Sequence, residues 1–130
     1  MTDVQSEHWL ETYRSLIAIS TEGFRFSALI NGGAAVAILA YLGEVSSGSN
    51  TAPDMRCAVG AFLGGLLLCG TSLVFAYVTQ LKLLNELREG KPPIIHHGLL
   101  LWLSVALFLA SLVAFGVGSW SAVGAFTPGA

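Results

Sequence analysis

The chain has 130 residues, 54% of them hydrophobic and only 11% charged, with a formal net charge of -2. A soluble globular domain carries about 25% charged residues, so a water-soluble fold of this size is excluded by the shortage of groups to wet its surface. The near-neutral balance also excludes the basic footprint of a nucleic-acid-binding protein, and the length allows one domain, residues 1–130.

The N-terminal segment, residues 3–25, carries Trp9, Tyr13, Leu16, Ile17, Ser20 and Phe24 along one helical stripe and Glu7, Glu11, Arg14, Glu22 and Arg25 along another. Spacings of three and four residues predict an amphipathic helix. Its polar face is net acidic, whereas a helix lying on anionic lipid presents Lys and Arg, so packing against protein is expected. The segment lacks the basic start and short apolar run of a cleavable signal, and the first span is expected to act as its own insertion signal.

Three long apolar runs follow. Residues 26–43, 55–80 and 98–120 are each long enough to cross about 30 Å of hydrocarbon as a helix, and a helix satisfies its own backbone groups in lipid. The expected fold is all-α, an integral membrane three-helix bundle with an amphipathic N-terminal helix and a cytoplasmic extension of the second span to about residue 89. Val74, Tyr77, Leu81, Leu84 and Arg88 recur at alternating spacings of three and four, a coiled-coil-like stripe. An antiparallel contact between residues 5–24 and 78–89 follows as the simplest picture. Gly, Ser and Asn in residues 43–53 predict a loop. Pro92 and Pro93 stop the second helix, and residues 127–130 form a short tail.

Arg14 and Arg25 precede span one, and Lys82, Arg88 and Lys91 separate spans two and three, leaving Arg56 as the one basic residue elsewhere. The positive-inside rule then predicts a cytoplasmic N-terminus and a C-terminus outside. Trp102 and Trp120 fit the two interfacial aromatic belts. Cys57 and Cys69, twelve residues apart in one apolar run, lie about 18 Å apart on a helix, beyond disulfide reach. They read as small buried hydrophobes.

Small residues at four-residue spacing let helix backbones approach closely in lipid. In span three Ala106, Ala110, Ala114, Gly118 and Ala122 recur in this way. Span two has Gly60 and Gly64 beside Ala61, Gly65 and Cys69, and span one has Gly33 and Ala37. These are the candidate packing residues, within one bundle or between chains. Asn31, with Ser27 one turn before it, is the main polar feature inside a span. An amide in lipid needs partners, so the pair is a candidate for a pore lining or an interhelical hydrogen bond. Thr71, Ser72, Ser104 and Ser111 are expected to bond to their own helix carbonyls.

His96 and His97 follow the double proline. Adjacent residues point about 100° apart on a helix, and no further ligand follows at metal-binding spacing; His8 reaches them only through tertiary packing. The chain has no GxSxG, Walker or HExxH motif. No catalytic residue, cofactor or metal is expected.

The stretch INGGAAVAILAYLG at residues 30–43, with the amphipathic segment before it, resembles the start of a group of small bacterial three-span membrane proteins. The likeness covers about the first third of the chain. It implies a bacterial inner-membrane setting and supplies no activity. Small size and three spans also resemble phage holins, but three-span holins have an outside N-terminus and a strongly basic cytoplasmic tail. Here the orientation is reversed and the chain ends in GAFTPGA.

The expected function is a non-enzymatic membrane subunit whose partners are the lipid bilayer and other membrane subunits or copies of itself. The alternatives are a homo-oligomeric pore around Ser27 and Asn31, and a haem or redox-associated subunit using His8, His96 or His97.

Overall fold

A computed structural model describes residues 3–48, 53–89 and 96–126, with side chains described for 7, 8, 10–48, 53–85 and 98–126. It contains α1 (Asp3–Ser47), α2 (Arg56–Glu89) and α3 (His96–Phe126), and no strand among the described residues. At 1.5 Å per residue these helices are about 67, 51 and 46 Å long. Each contains a segment long and apolar enough to span a membrane: Leu10–Ser47, Arg56–Asn85 and Gly98–Phe126.

Residues 3–25 and the expected first span form one uninterrupted helix. α1 runs to Ser47, past the expected start of the loop, and its last turn is bridged by serine hydroxyls. Ser46 donates to the Gly43 carbonyl at 3.1 Å and Ser47 to the Glu44 carbonyl at 2.8 Å. At the start of α2 the Asp54 carboxylate accepts the Arg56 N–H at 3.1 Å, which satisfies one of the donors that a helix N-terminus leaves open. The double-proline stop and the tail at 127–130 lie outside the described residues.

Side-chain pairings set the topology. Gly118, Ser111 and Ser104 of α3 meet Phe62, Gly65 and Ser72 of α2, so these helices are antiparallel. Phe24, Ser27 and Tyr41 of α1 meet Phe108, Ser111 and Phe126, so α1 and α3 run parallel. The start of α1, the end of α2 and the start of α3 therefore share one end of the bundle. α2 and α3 pack most extensively, and α1 rests chiefly on α2.

The distribution of polarity is the reverse of a soluble protein. Ser27, Asn31, Ser72 and Ser111 are completely buried, whereas Leu67 is 73% and Trp120 83% exposed. In water such an apolar exterior would be unstable; in hydrocarbon it is the solvated face.

α2 buries Ala58, Phe62, Gly65, Cys69, Ser72 and Thr79, with half-buried Ala76 between the last two. These steps of four and three form the seam of a left-handed helix pair. At the C-terminal end of α1, Ala35, Met55, Ala58 and Phe62 form a small apolar core against Ile38, Leu42 and Phe115. At the opposite end α1 stands away from α2 and α3. Residues 10–22 are all exposed. The stretches expected to touch face each other across a cleft of about 680 Å³, lined by Tyr13, Leu16, Phe24, Gln80, Leu83 and Leu101.

The Phe62 ring lies against Gly118 and packs on Phe115 with ring centroids 5.7 Å apart. Phe62→Ala is expected to destabilise the bundle by about 3 kcal/mol, measurable as an earlier transition on titrating mixed micelles with denaturing detergent.

Candidate helix-packing site

The site is a polar seam where the three helices meet. Ser111 donates from Oγ to the Gly65 carbonyl at 2.7 Å. A carbonyl can only accept, so this contact uses the one Ser111 hydroxyl proton. Ser27 Oγ, 2.8 Å from Ser111 Oγ, is then the donor in that contact. One hydrogen-bond chain thus joins α1 to α3 to α2.

Asn31 stands one turn further along α1. Its Nδ2 donates to the Ser27 carbonyl at 3.0 Å and lies 3.4 Å from both Ser111 O and Ser111 Oγ. Bonding to a carbonyl identifies that atom as the nitrogen. The other amide atom, Oδ1, is buried without a conventional partner. It is aimed at Gly65, where a Cβ would come within 2.7 Å of Asn31 Cγ. The acceptor therefore faces the Gly65 Cα hydrogen, the weak C–H···O geometry common where helices cross closely. Glycine here is a steric requirement for holding the amide.

A second level lies toward the cleft. Ser72 Oγ donates to the Ser104 carbonyl at 2.6 Å, and Ser104 Oγ donates to the Ser72 carbonyl at 2.9 Å. This reciprocal clasp locks α2 against α3. Between the two levels the Cys69 thiol reaches the Phe24 carbonyl at 3.5 Å. Cys69 is buried, but Cys57 is exposed, a correction to its expected burial, because Cys57 falls outside the 58–62–65–69 seam.

The structure divides the candidate packing residues. Gly65 and Gly118 are buried at helix crossings, and Ala61, Ala110 and Ala114 are half-buried. Ala106 and Gly60 are exposed, and a Cβ on Gly60 or Gly64 would meet nothing within 4 Å. Each four-residue step rotates about 40° around a helix, so a stripe that faces inward at Gly118 has turned outward by Ala106. The inward positions of α3 are seven apart: Ser104, Ser111 and Gly118.

Ser27 and Asn31 come together inside a single chain. Of the hydroxyls expected to bond within their own helix, Thr71 does so, donating to Leu67 O at 2.8 Å. Ser72, Ser104 and Ser111 bond across helices. Their spacing was the available signal: Ser104 and Ser111 share a heptad position, and Ser72 lies seven residues beyond Gly65. Among the described residues no three of His, Cys, Asp and Glu converge. The His96 and His97 side chains lie outside the described residues, as do those of Trp9 and Arg88.

No protein-family model, curated protein or solved structure matches the chain.

Gly65→Ala is expected to cost about 1–3 kcal/mol by forcing Asn31 out of place. Gly65→Ala with Asn31→Ala removes the clash and should recover part of that loss. Detergent-unfolding midpoints of the two variants test this coupling.

Proposed function

We propose that this chain is a non-enzymatic integral membrane subunit that packs into a larger membrane protein assembly. The observation that carries this reading is an apolar stripe left open on α2. Val74, Tyr77, Leu81 and Leu84 are 58%, 66%, 42% and 54% exposed. They repeat at three and four residues and run on to the end of α2 that bears Lys82. Leu81 and Leu84 continue the stripe past the expected end of span two at residue 80, where an apolar heptad is covered by another helix rather than by water. Gly60 and Gly64, where a Cβ would meet nothing within 4 Å, offer a second close-approach surface within the span.

By the positive-inside rule the stripe lies on the cytoplasmic side, with the N-terminus, and the C-terminus lies outside. The likeness at residues 30–43 supports a bacterial inner membrane as the setting. A pore around Ser27 and Asn31 is less favoured, because both are buried among their own chain's helices.

The test is extraction of the native complex with its surrounding lipid and identification of every protein in it. Unlike companion subunits are expected. Leu81→Glu with Leu84→Glu should release them while the helical content of the chain is kept. A lone monomer would overturn the reading.

A further inference from the structure

Phe24 marks the depth of its neighbours on α1. Its carbonyl meets the Cys69 thiol, and its ring packs edge-on against Phe108 with centroids 5.4 Å apart. Cys69 is thirteen residues from Arg56 and thirteen from Lys82, the midpoint of the charge-free stretch of α2, so each charge is about 20 Å away along the helix. Phe108 lies ten residues inside Gly98, in a helix with no Asp, Glu, Lys or Arg.

At this depth α1 carries Glu22 and Arg25. Arg25 Nη1 lies 3.8 Å from Glu22 Oε1, and the two side chains are 72% and 73% exposed. Ser27, Asn31 and Ala35 face the seam, and at 100° per residue Glu22 lies about 180° and Arg25 about 120° around the helix from Asn31 at the centre of that face. The pair therefore points outward at the level of the apolar middle of α2.

Charged groups bared to hydrocarbon are costly and are normally paired or turned to a protein interior. The long Arg25 side chain can reach toward headgroups, but the shorter Glu22 is then left behind. Raising the pair into water does not solve the problem. The exposed side chains of Leu73, Val74, Leu101 and Trp102 would move toward water with it.

We infer that a second copy of this chain covers the outer face of α1. Opposite charges three residues apart on one face are self-complementary. Two parallel copies related by a two-fold axis along the membrane normal set Glu22 against the partner's Arg25 and Arg25 against the partner's Glu22, an isologous contact. The face continues through Leu29, Gly33, Val36 and Ala40. The steps from Glu22 to Gly33, Arg25 to Val36 and Leu29 to Ala40 are each eleven residues, a period that keeps to one nearly straight line on a helix. A Cβ built on Gly33 would meet nothing within 4 Å, which leaves room for a second backbone to approach. This surface is separate from the α2 stripe, so it stands or falls independently of the companions proposed above.

The test uses the full chain in its native membrane with Cys57→Ser and Leu29→Cys. Oxidation is expected to give a disulfide-linked dimer of this chain. Glu22→Arg alone and Arg25→Glu alone each gather like charges at the contact and should lower the dimerisation constant by about tenfold or more. Co-expression of the two variants should restore the dimer as a mixed pair. Exchange of both charges within one chain should also keep it, and this variant shows that the bundle tolerates the substitutions. A crosslink to an unlike protein, a monomer, or a dimer indifferent to these charges overturns the proposal. Failure of the two variants to rescue each other also overturns it.

Discussion

In hydrocarbon, one apolar helix gains little by touching another, because lipid tails are as apolar as leucine. Association must come from close packing and from polar groups that find their partners in another helix. This chain places those groups at one seam. Ser27, Asn31, Ser72 and Ser111 are wholly buried, and each bonds to an oxygen on a neighbouring helix, a neighbouring turn, or both. Interhelical bonds of this kind are worth about 0.6 kcal/mol apiece on average. Their larger effect is on register. A sliding helix would leave the Gly65, Ser72 and Ser104 carbonyls without their hydroxyl donors, and would bring a side chain instead of a hydrogen against Asn31.

The seam also explains the unequal attachment of the helices. α2 contributes an inward residue every three or four positions from Ala58 to Thr79, and α3 follows it for most of that length. α1 joins over its C-terminal part only, from Phe24 onward. Below Phe24 its apolar side chains line the cleft without closing it. The outer surfaces differ accordingly: α3 shows lipid-like side chains, α2 an apolar heptad, and α1 a line of charges that runs into the bundle's apolar depth.

Much of the architecture was legible from length and polarity. Three apolar runs bounded by charged or turn-forming residues could form little but three spanning helices, and the structure contains three helices long and apolar enough to do so. At residues 25 and 26 charge gives way to the apolar run, but nothing at Arg25 or Phe26 stops a helix, so sequence alone leaves open whether the N-terminal helix continues span one; α1 runs through both. The packing face was read only in part. Small residues every four positions attract notice, yet that period drifts off a straight helix face. Ser104, Ser111 and Gly118 share the true inward line. Asn31 was recognisable because an amide is conspicuous in an apolar run. Its dependence on Gly65 was not, since that relation spans two helices and rests on the absence of a side chain.

The opened cleft has a consequence for the order in which the bundle is made. Chains are synthesised from the N-terminus, so α1 is the earliest of the three helices to enter the bilayer. It carries Asn31, Glu22 and Arg25 with it. The groups that complete its polar side, the Ser111 oxygens that accept from Ser27 and Asn31 and the Gly65 Cα hydrogen against the Asn31 carbonyl, lie on helices not yet made. α2 and α3, joined by the serine clasp, have what they need to pair with each other. The earliest helix to be born is thus the last to be satisfied. During that interval its amide and its ion pair are the parts of the protein most in need of shelter.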